Sequence, residues 1–368
     1  MTIKKALRGY KPLAYVPDGL VLARGFDLYW SSVDLEQQTW LARIPVRPFK
    51  AICARFRLAA RVFRAEPGPT IYLEQENVLL VAAEGAIFRV ELGKGTVTRE
   101  YAIPRGRYPL YLQQIDVPGF TPGVYFGEYI SNDAKGPVSL YRRIAPGQWE
   151  LAYTFPAGSI NHVHNIVGDS EGGRVFILTG DFGKAAAIWI ATDNFARVDR
   201  WLDEGQQSRA CWLNIDPEGI LFASDTQFET KHLYRVVEQS GGQPLHVQQL
   251  FPLVGSSIYQ SQGRGSVVVF STAIEPNPSV GLLALFDRGP HDGMLGNMAC
   301  IYVGSALHGF TVLASGTNDS WPLRLFQFGS FTFPTGMASD PTIIHTYGIG
   351  VKKYDGCTLL LAMPQTPL

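Results

Sequence analysis

Two histidines stand two residues apart in the stretch SINHVHNIV, residues 159 to 167, inside an apolar run of strand-forming residues. A strand repeats its facing every second residue, so His162 and His164 project from the same side of it. Imidazoles exchange protons near neutral pH and ligate metals, which makes a shared histidine face a candidate for acid–base or metal chemistry. Other groups with chemical capacity sit at the edges of similar runs: Glu128 in FGEYIS, Asp181 in LTGDFG, Arg209 in QQSRACW and Asp225 in FASDTQ. Gln113, Tyr259 and His308 occupy comparable places elsewhere. All are distant in sequence, so their joint chemistry depends on a fold that gathers them.

The elements that must do so are short. Glycine (38) and proline (24) punctuate runs of about six residues such as GLVLARG, NVLLVAAEG, RVFILTGD, GILFASD and SVVVFST, the pattern of strands in an all-β chain. A second strand follows most of them across a polar turn: AIFRVEL, VSLYRRI, AIWIATD, HLYRVVE and GLLALFD. Equivalent positions recur at Tyr15, Arg64, Gln113, His162, Arg209, Tyr259 and His308, at intervals of 49, 49, 49, 47, 50 and 49 residues. A repeat of this length holding about four strands is a propeller blade. The expectation is a seven-bladed β-propeller of four-stranded antiparallel sheets over residues 10–368, with 1–9 as an N-terminal extension. The C-terminal stretch IIHTYGIGVKKYDGCTLLLAMP either closes the ring or adds a partial blade.

In that architecture the starts of first strands and the ends of second strands meet on one rim of the central channel. The face shared by His162 and His164 is then the wall of a polar funnel. His162, His164, Asp181, Arg209 and Tyr259 form the expected catalytic set, with Gln113, Glu128, Asp225 and His308 as substrate contacts. Arginine to neutralise a carboxylate, histidine to take the adjacent proton and tyrosine to protonate the leaving oxygen suit elimination on a uronate sugar. Hydrolysis needs two carboxyl groups at a defined separation, for which Glu128, Asp181 and Asp225 are the candidates. Elimination is thus favoured over hydrolysis, and behind both stands a divalent metal in the channel, for which His162, His164, Asp181 and Asp225 are an acceptable ligand set without any diagnostic spacing. A propeller can also bind a glycan or a protein without catalysis. The four cysteines, Cys53, Cys211, Cys300 and Cys357, are scattered and read as reduced, buried thiols.

The segments NHVHNIVGDSEGGRVFILTGDFGKAAAIWIATD and QQSRACWLNIDPEGILFASDTQFETKHLYRV resemble a sialidase-like β-propeller group associated with bacterial surface-polysaccharide enzymes. The resemblance lies in the His-x-His strand, the turn of Thr179, Gly180 and Asp181, the Gln206-x-x-Arg209 lead-in, and the turn of Ser224, Asp225 and Thr226. It implies a carbohydrate-active propeller acting on an acidic bacterial polysaccharide. The sialidase Ser-x-Asp-x-Gly-x-Thr-Trp box is absent: DSEGGRVFI and DPEGILFAS keep only an acidic turn and a glycine. DPEGILFASD is also similar to the strand of lactonase-type propellers that hold calcium in the channel, which implies a metal-dependent hydrolase as the alternative.

Charge narrows the partners. Lysine plus arginine equals aspartate plus glutamate at 32 each, which gives no global drive toward nucleic acid. No apolar run reaches the length of a spanning helix, so no membrane insertion is expected. The N-terminus lacks the apolar core of a signal peptide, and the chain as given reads as cytoplasmic.

Overall fold

The computed structural model describes residues 2–226, 229–238, 245–261, 266–276, 282–288 and 294–364. Seven four-stranded antiparallel sheets are arranged in a ring, an all-β propeller. Blades one to six take residues 11–43, 70–102, 113–155, 163–202, 214–252 and 256–317 in chain order. The seventh uses Ser330–Thr332, Ile343–Ile349 and Cys357–Ala362. Its outermost strand is Ile3–Arg8, antiparallel to Cys357–Ala362, so the residues expected to be an extension close the ring.

The second strand of a blade has neighbours on both faces, which accounts for its unbroken apolar sequence. In VLLVAA, residues 78–83, all six are buried. Leu79 and Val81 face blade one, while Val78 and Leu80 face blade three. The same division produces seven apolar clusters, one at each blade-to-blade interface.

Blade starts fall close to the 49-residue repeat in blades one and three to six. The repeat fails at the seventh. His308 lies in the hairpin joining Met298–Ser305 to Gly309–Thr317, exposed, with its backbone N–H donating to Ser305 Oγ at 3.2 Å. The long connection after the second strand of blade six displaces blade seven to Ser330. Within that connection Leu282–Phe286, expected as a strand, forms a 3-10 turn. A five-residue apolar run without alternation carries no period to separate the two.

The chain leaves the propeller pattern between blades one and two. Helix α1 (Pro48–Cys53) packs on α2 (Arg57–Phe63), and α2 packs against a third, α3 (Leu323–Phe326). Proline at the first position of α1 fits the helix start, and a left-handed Arg64 ends α2. The buried guanidinium of Arg61 ties the insertion across the ring to Asp319 and to the carbonyls of Phe326 and Gln327. Arg57 grips Asp355 with two hydrogen bonds of 3.0 and 2.7 Å.

The joint between blades seven and one turns on one histidine. His345 is fully buried; its backbone N–H donates to Tyr15 Oη at 3.0 Å, and Tyr15 Oη lies 3.1 Å from its Nδ1. His345 Nε2 lies 2.7 Å from the carbonyl of Val33, an acceptor, so Nε2 carries the proton and Nδ1 accepts from the phenol. Burial pulls the imidazole down to about 4. In the unfolded chain it protonates near ~6.5. Between these values the unfolded chain binds more protons, so stability is intact above ~6.5 and falls as the pH drops toward 4, by on the order of 2–3 kcal/mol. Thermal melts from pH 7 to 4 should show this loss, and His345→Gln should show a shallower pH dependence; identical slopes in the two proteins would remove His345 as its source.

Candidate functional site

Blades four and five bring the sequence-predicted residues together. His162 precedes the innermost strand Val163–Asp169 of blade four and His164 lies within it. A bulge there separates the pairings of Val163 and Asn165 with the next strand, and the two imidazoles still lie on one side. Their Nε2 atoms are 3.0 Å apart. Asp181 follows the second strand of the blade with φ +83°, a left-handed turn that sends its carboxylate back to 3.3 Å from His162 Nδ1. Arg209 and Asp225 stand at the corresponding places of blade five, joined by a backbone hydrogen bond of 2.7 Å from Asp225 N–H to the Arg209 carbonyl. The Arg209 guanidinium lies 3.5 Å from Asp225 and 3.9 Å from Asp181.

The cluster is buried. His162, His164, Arg209 and Asp225 are 6%, 2%, 7% and 4% exposed, so the histidine face is a packed interior seam and not an open funnel wall. Tyr129 rests its ring against both imidazoles, and the exposed ring of Phe182 lies 6.0 Å from the Arg209 guanidinium. Burial sets the direction for both histidines and for Asp225. It lowers His162, against the pull of Asp181, and holds His164 well below its ordinary value with help from His162 and Arg209, so both rings are neutral at pH 7. It pushes Asp225 up to about 7 despite Arg209.

Two polar groups are left over. Nε and Nη1 of Arg209 and Oδ1 of Asp225 are buried without a hydrogen-bond partner among the described residues. Such atoms are uncommon in folded proteins and ask for a missing partner.

The other expected residues go elsewhere. Glu128 is buried in a bidentate pair with Arg105, at 3.0 and 2.6 Å, and accepts from Ser139 N–H, so its carboxylate is spent on blade three and its lead-in. Gln113 donates to Asn165 at 3.0 Å and lines a channel cavity of about 540 Å³ with Trp212, Asn214 and residues of every other blade. Tyr259 lines that cavity and a smaller one of about 160 Å³ at the opposite mouth, beside Tyr111. Burial raises the phenols of Tyr111, Tyr129 and Tyr259 well above their ordinary range. His308, in its exposed hairpin, does not join the cluster.

Two features were not anticipated. Cys211 lies against His164 and Asp225, at 3.4 Å from each. The stretch RPFKAICARFRLAARVFR, residues 47–64, holds six basic residues and no acidic one. It exposes Phe49 and Ile52 on α1, Phe63 on α2, and Phe56 at the turn between them. Its composition was the available signal.

No protein-family profile and no curated protein matches the chain. Solved structures match in fold. One from a structure titled "Crystal Structure of Mitotic Checkpoint Complex" superposes with TM-score 0.58 at 10% identity, over 98% of this chain and 92% of that one. The AfRom2 CNH domain gives 0.54 at 9%, over 100% and 97%. Raptor from Chaetomium thermophilum gives 0.55 at 12%, over 100% of this chain and 29% of that longer one. These are likenesses of β-propeller architecture.

Glycine at position 180 is what lets the imidazoles meet. A Cβ there would fall 2.1 Å from His164 Nε2 and 2.8 Å from His162 Nε2, a clash with two buried rings. Gly180→Ala should therefore destabilise the protein by about 1–3 kcal/mol, the usual scale of overpacking. A denaturant titration giving an unchanged midpoint would show that the rings are free to separate.

Proposed function

We propose that this propeller recognises an acidic ligand on the blade-four and blade-five side of its channel, with Arg209 as the anchoring charge. The carrying observation is the pair of buried Arg209 nitrogens that lack a partner. A carboxylate supplies what they need, because a desolvated guanidinium bonds an anion more strongly than a neutral acceptor. The uronate residues of an acidic polysaccharide offer that group, and the resemblance to surface-polysaccharide propellers points to the same class. Phe182 and Tyr129, both partly exposed above the cluster, are the side chains a ligand must displace.

Catalysis makes a further demand. Elimination needs an imidazole nitrogen facing the substrate. Both histidines have their two nitrogens engaged, with each other and with backbone carbonyls. Recognition therefore ranks ahead of lyase turnover at this site, and elimination would require His162 to leave His164. Calorimetry with oligouronates tests binding, and ultraviolet absorbance of an unsaturated uronate tests turnover. Arg209→Gln should weaken binding at least tenfold and Arg209→Lys less, consistent with 1.5–3 kcal/mol for a charged hydrogen bond. No binding of acidic oligosaccharides by the parent protein, or equal affinity in Arg209→Gln, overturns this reading.

A second reading, protein docking, is favoured by the exposed Phe49, Ile52, Phe56 and Phe63 of the helical insertion. A propeller found in a checkpoint complex shows that the architecture can serve assembly. Contiguous exposed aromatic surface marks interaction sites. Proximity labelling should lose specific neighbours in the Phe49→Asp, Phe56→Asp double variant; an unchanged set of labelled proteins rules out this face.

A further inference from the structure

Counting protons around the histidine pair exposes a deficit of positive charge. His162 Nδ1 faces only acceptors, the Ile130 carbonyl at 3.1 Å and Asp181 at 3.3 Å, so it carries a hydrogen. A neutral imidazole has one, which leaves His162 Nε2 as a lone pair. His164 Nε2, 3.0 Å away, must then be the N–H donor, and His164 Nδ1 is left as a lone pair as well. Yet that atom lies 2.8 Å from the carbonyl oxygen of Ala210, a second acceptor. Two lone pairs cannot face each other at that distance in a dry interior unless something positive lies between or beside them. One such charge is a second proton on His162 beside Asp181, which would give its Nε2–H to His164 and let His164 Nδ1–H meet the Ala210 carbonyl.

The surroundings of His164 Nδ1 supply another answer. Cys211 Sγ is 3.4 Å from it and 3.4 Å from Asp225 Oδ2, and the ligand atoms of the three residues lie within 4.8 Å of one another. All three side chains are buried. Bonds of about 2.0–2.3 Å from a tetrahedral zinc to nitrogen, oxygen and sulfur place neighbouring ligand atoms roughly 3.3–3.7 Å apart. The two 3.4 Å separations from Cys211 Sγ suit such a site, and the Ala210 carbonyl, 2.8 Å from His164 Nδ1, is near enough to approach a fourth position. The outer contacts agree: His164 Nε2–H is held by His162, which is itself held by Ile130, the supported orientation of a metal-ligating imidazole.

We propose that His164 Nδ1, Cys211 Sγ and Asp225 Oδ2 bind one divalent transition-metal ion of the zinc class. This set differs from the four residues the sequence suggested: Cys211 replaces His162 and Asp181, which support and flank it. The ligands join blade four to blade five, so the ion is a clamp between blades, and the chemistry asked of it is structural. Binding converts the Cys211 thiol to thiolate and releases its proton to solvent. The site stands whether or not Arg209 takes an anionic ligand.

Elemental analysis of the full chain, stripped with a chelator and reloaded with zinc, should show one ion per chain and a higher melting temperature than the stripped protein. Cobalt loading should give a sulfur-to-cobalt charge-transfer band. Cys211→Ser and Asp225→Asn should lose the ion, and Cys211→Ser the band. Should either variant fail to fold, the cobalt spectrum of the parent protein decides alone, because the band requires a thiolate ligand. A parent chain that takes up no metal, a cobalt complex without the charge-transfer band, or full loading of folded Cys211→Ser overturns the proposal. So does a nuclear magnetic resonance titration of the metal-free protein showing either His162 or His164 doubly protonated at pH 7, which would make the missing charge a proton. Oligouronate affinity is measured separately, so failure of the clamp and failure of anion recognition are told apart.

Discussion

Every blade needs a neighbour on each face, and that requirement organises the molecule. The second strands are apolar on both sides, so an isolated blade would leave two greasy surfaces in water. Only a closed ring removes them all. Closure brings Ile3–Arg8 onto Cys357–Ala362, the two ends of the chain sharing one sheet. It is reinforced where Tyr15 meets His345 and where Arg57 and Arg61 of the helical insertion reach Asp355 and Asp319. The price is paid at the axis, where seven first strands converge but cannot fill the centre. Two channel cavities remain there, sharing Tyr111 and Tyr259 in their walls.

The polar cluster of blades four and five belongs to this geometry. Positions at the start of one strand and the end of the next are close in space, so His162, Asp181, Arg209 and Asp225 meet although 63 residues separate the first from the last. What spacing does not reveal is depth. The strand alternation that puts two histidines on one face says nothing about what covers that face, and here Tyr129 and Gly180 cover it. A pair that looks in sequence like a solvent-facing base is a desolvated contact inside the protein. Its neutrality follows from burial, the same cause that leaves Arg209 short of partners.

This explains what the sequence made legible. The repeat was visible because blades one and three to six solve the same packing problem with the same local pattern, while the helical insertion shifts the start of blade two from Arg64 to Thr70. Blade seven was expected but its start was misplaced at His308, because its outer strand comes from the other end of the chain and the connection before it breaks the interval. The short helices carry too few turns to show an apolar period, although the unrelieved basic charge of residues 47–64 marked them as unlike a strand. Glu128 occupied an eligible position in the repeat, but Arg105 and Ser139 hold its carboxylate elsewhere. Cys211 was invisible for the opposite reason: its contacts with His164 are set by the docking of two sheets, and no local spacing encodes them.

The two proposed sites share Asp225, and the sharing has a direction. Asp225 Oδ2 is the oxygen 3.5 Å from Arg209 and also the one 3.4 Å from Cys211. A carboxylate bound to a divalent ion has less negative charge to offer a guanidinium. Arg209 would then keep Glu275 and Asp181, the latter at 3.9 Å, as counter-charges, while two of its nitrogens stay without partners. A buried arginine with that little compensation favours an incoming anion more strongly than one still paired to Asp225. The clamp and the anion site are therefore coupled with positive sign, and by reciprocity an anion seated on Arg209 stabilises the ion by the same factor. The coupling needs no movement of the blades, because both ligands act on the charge of a single carboxylate.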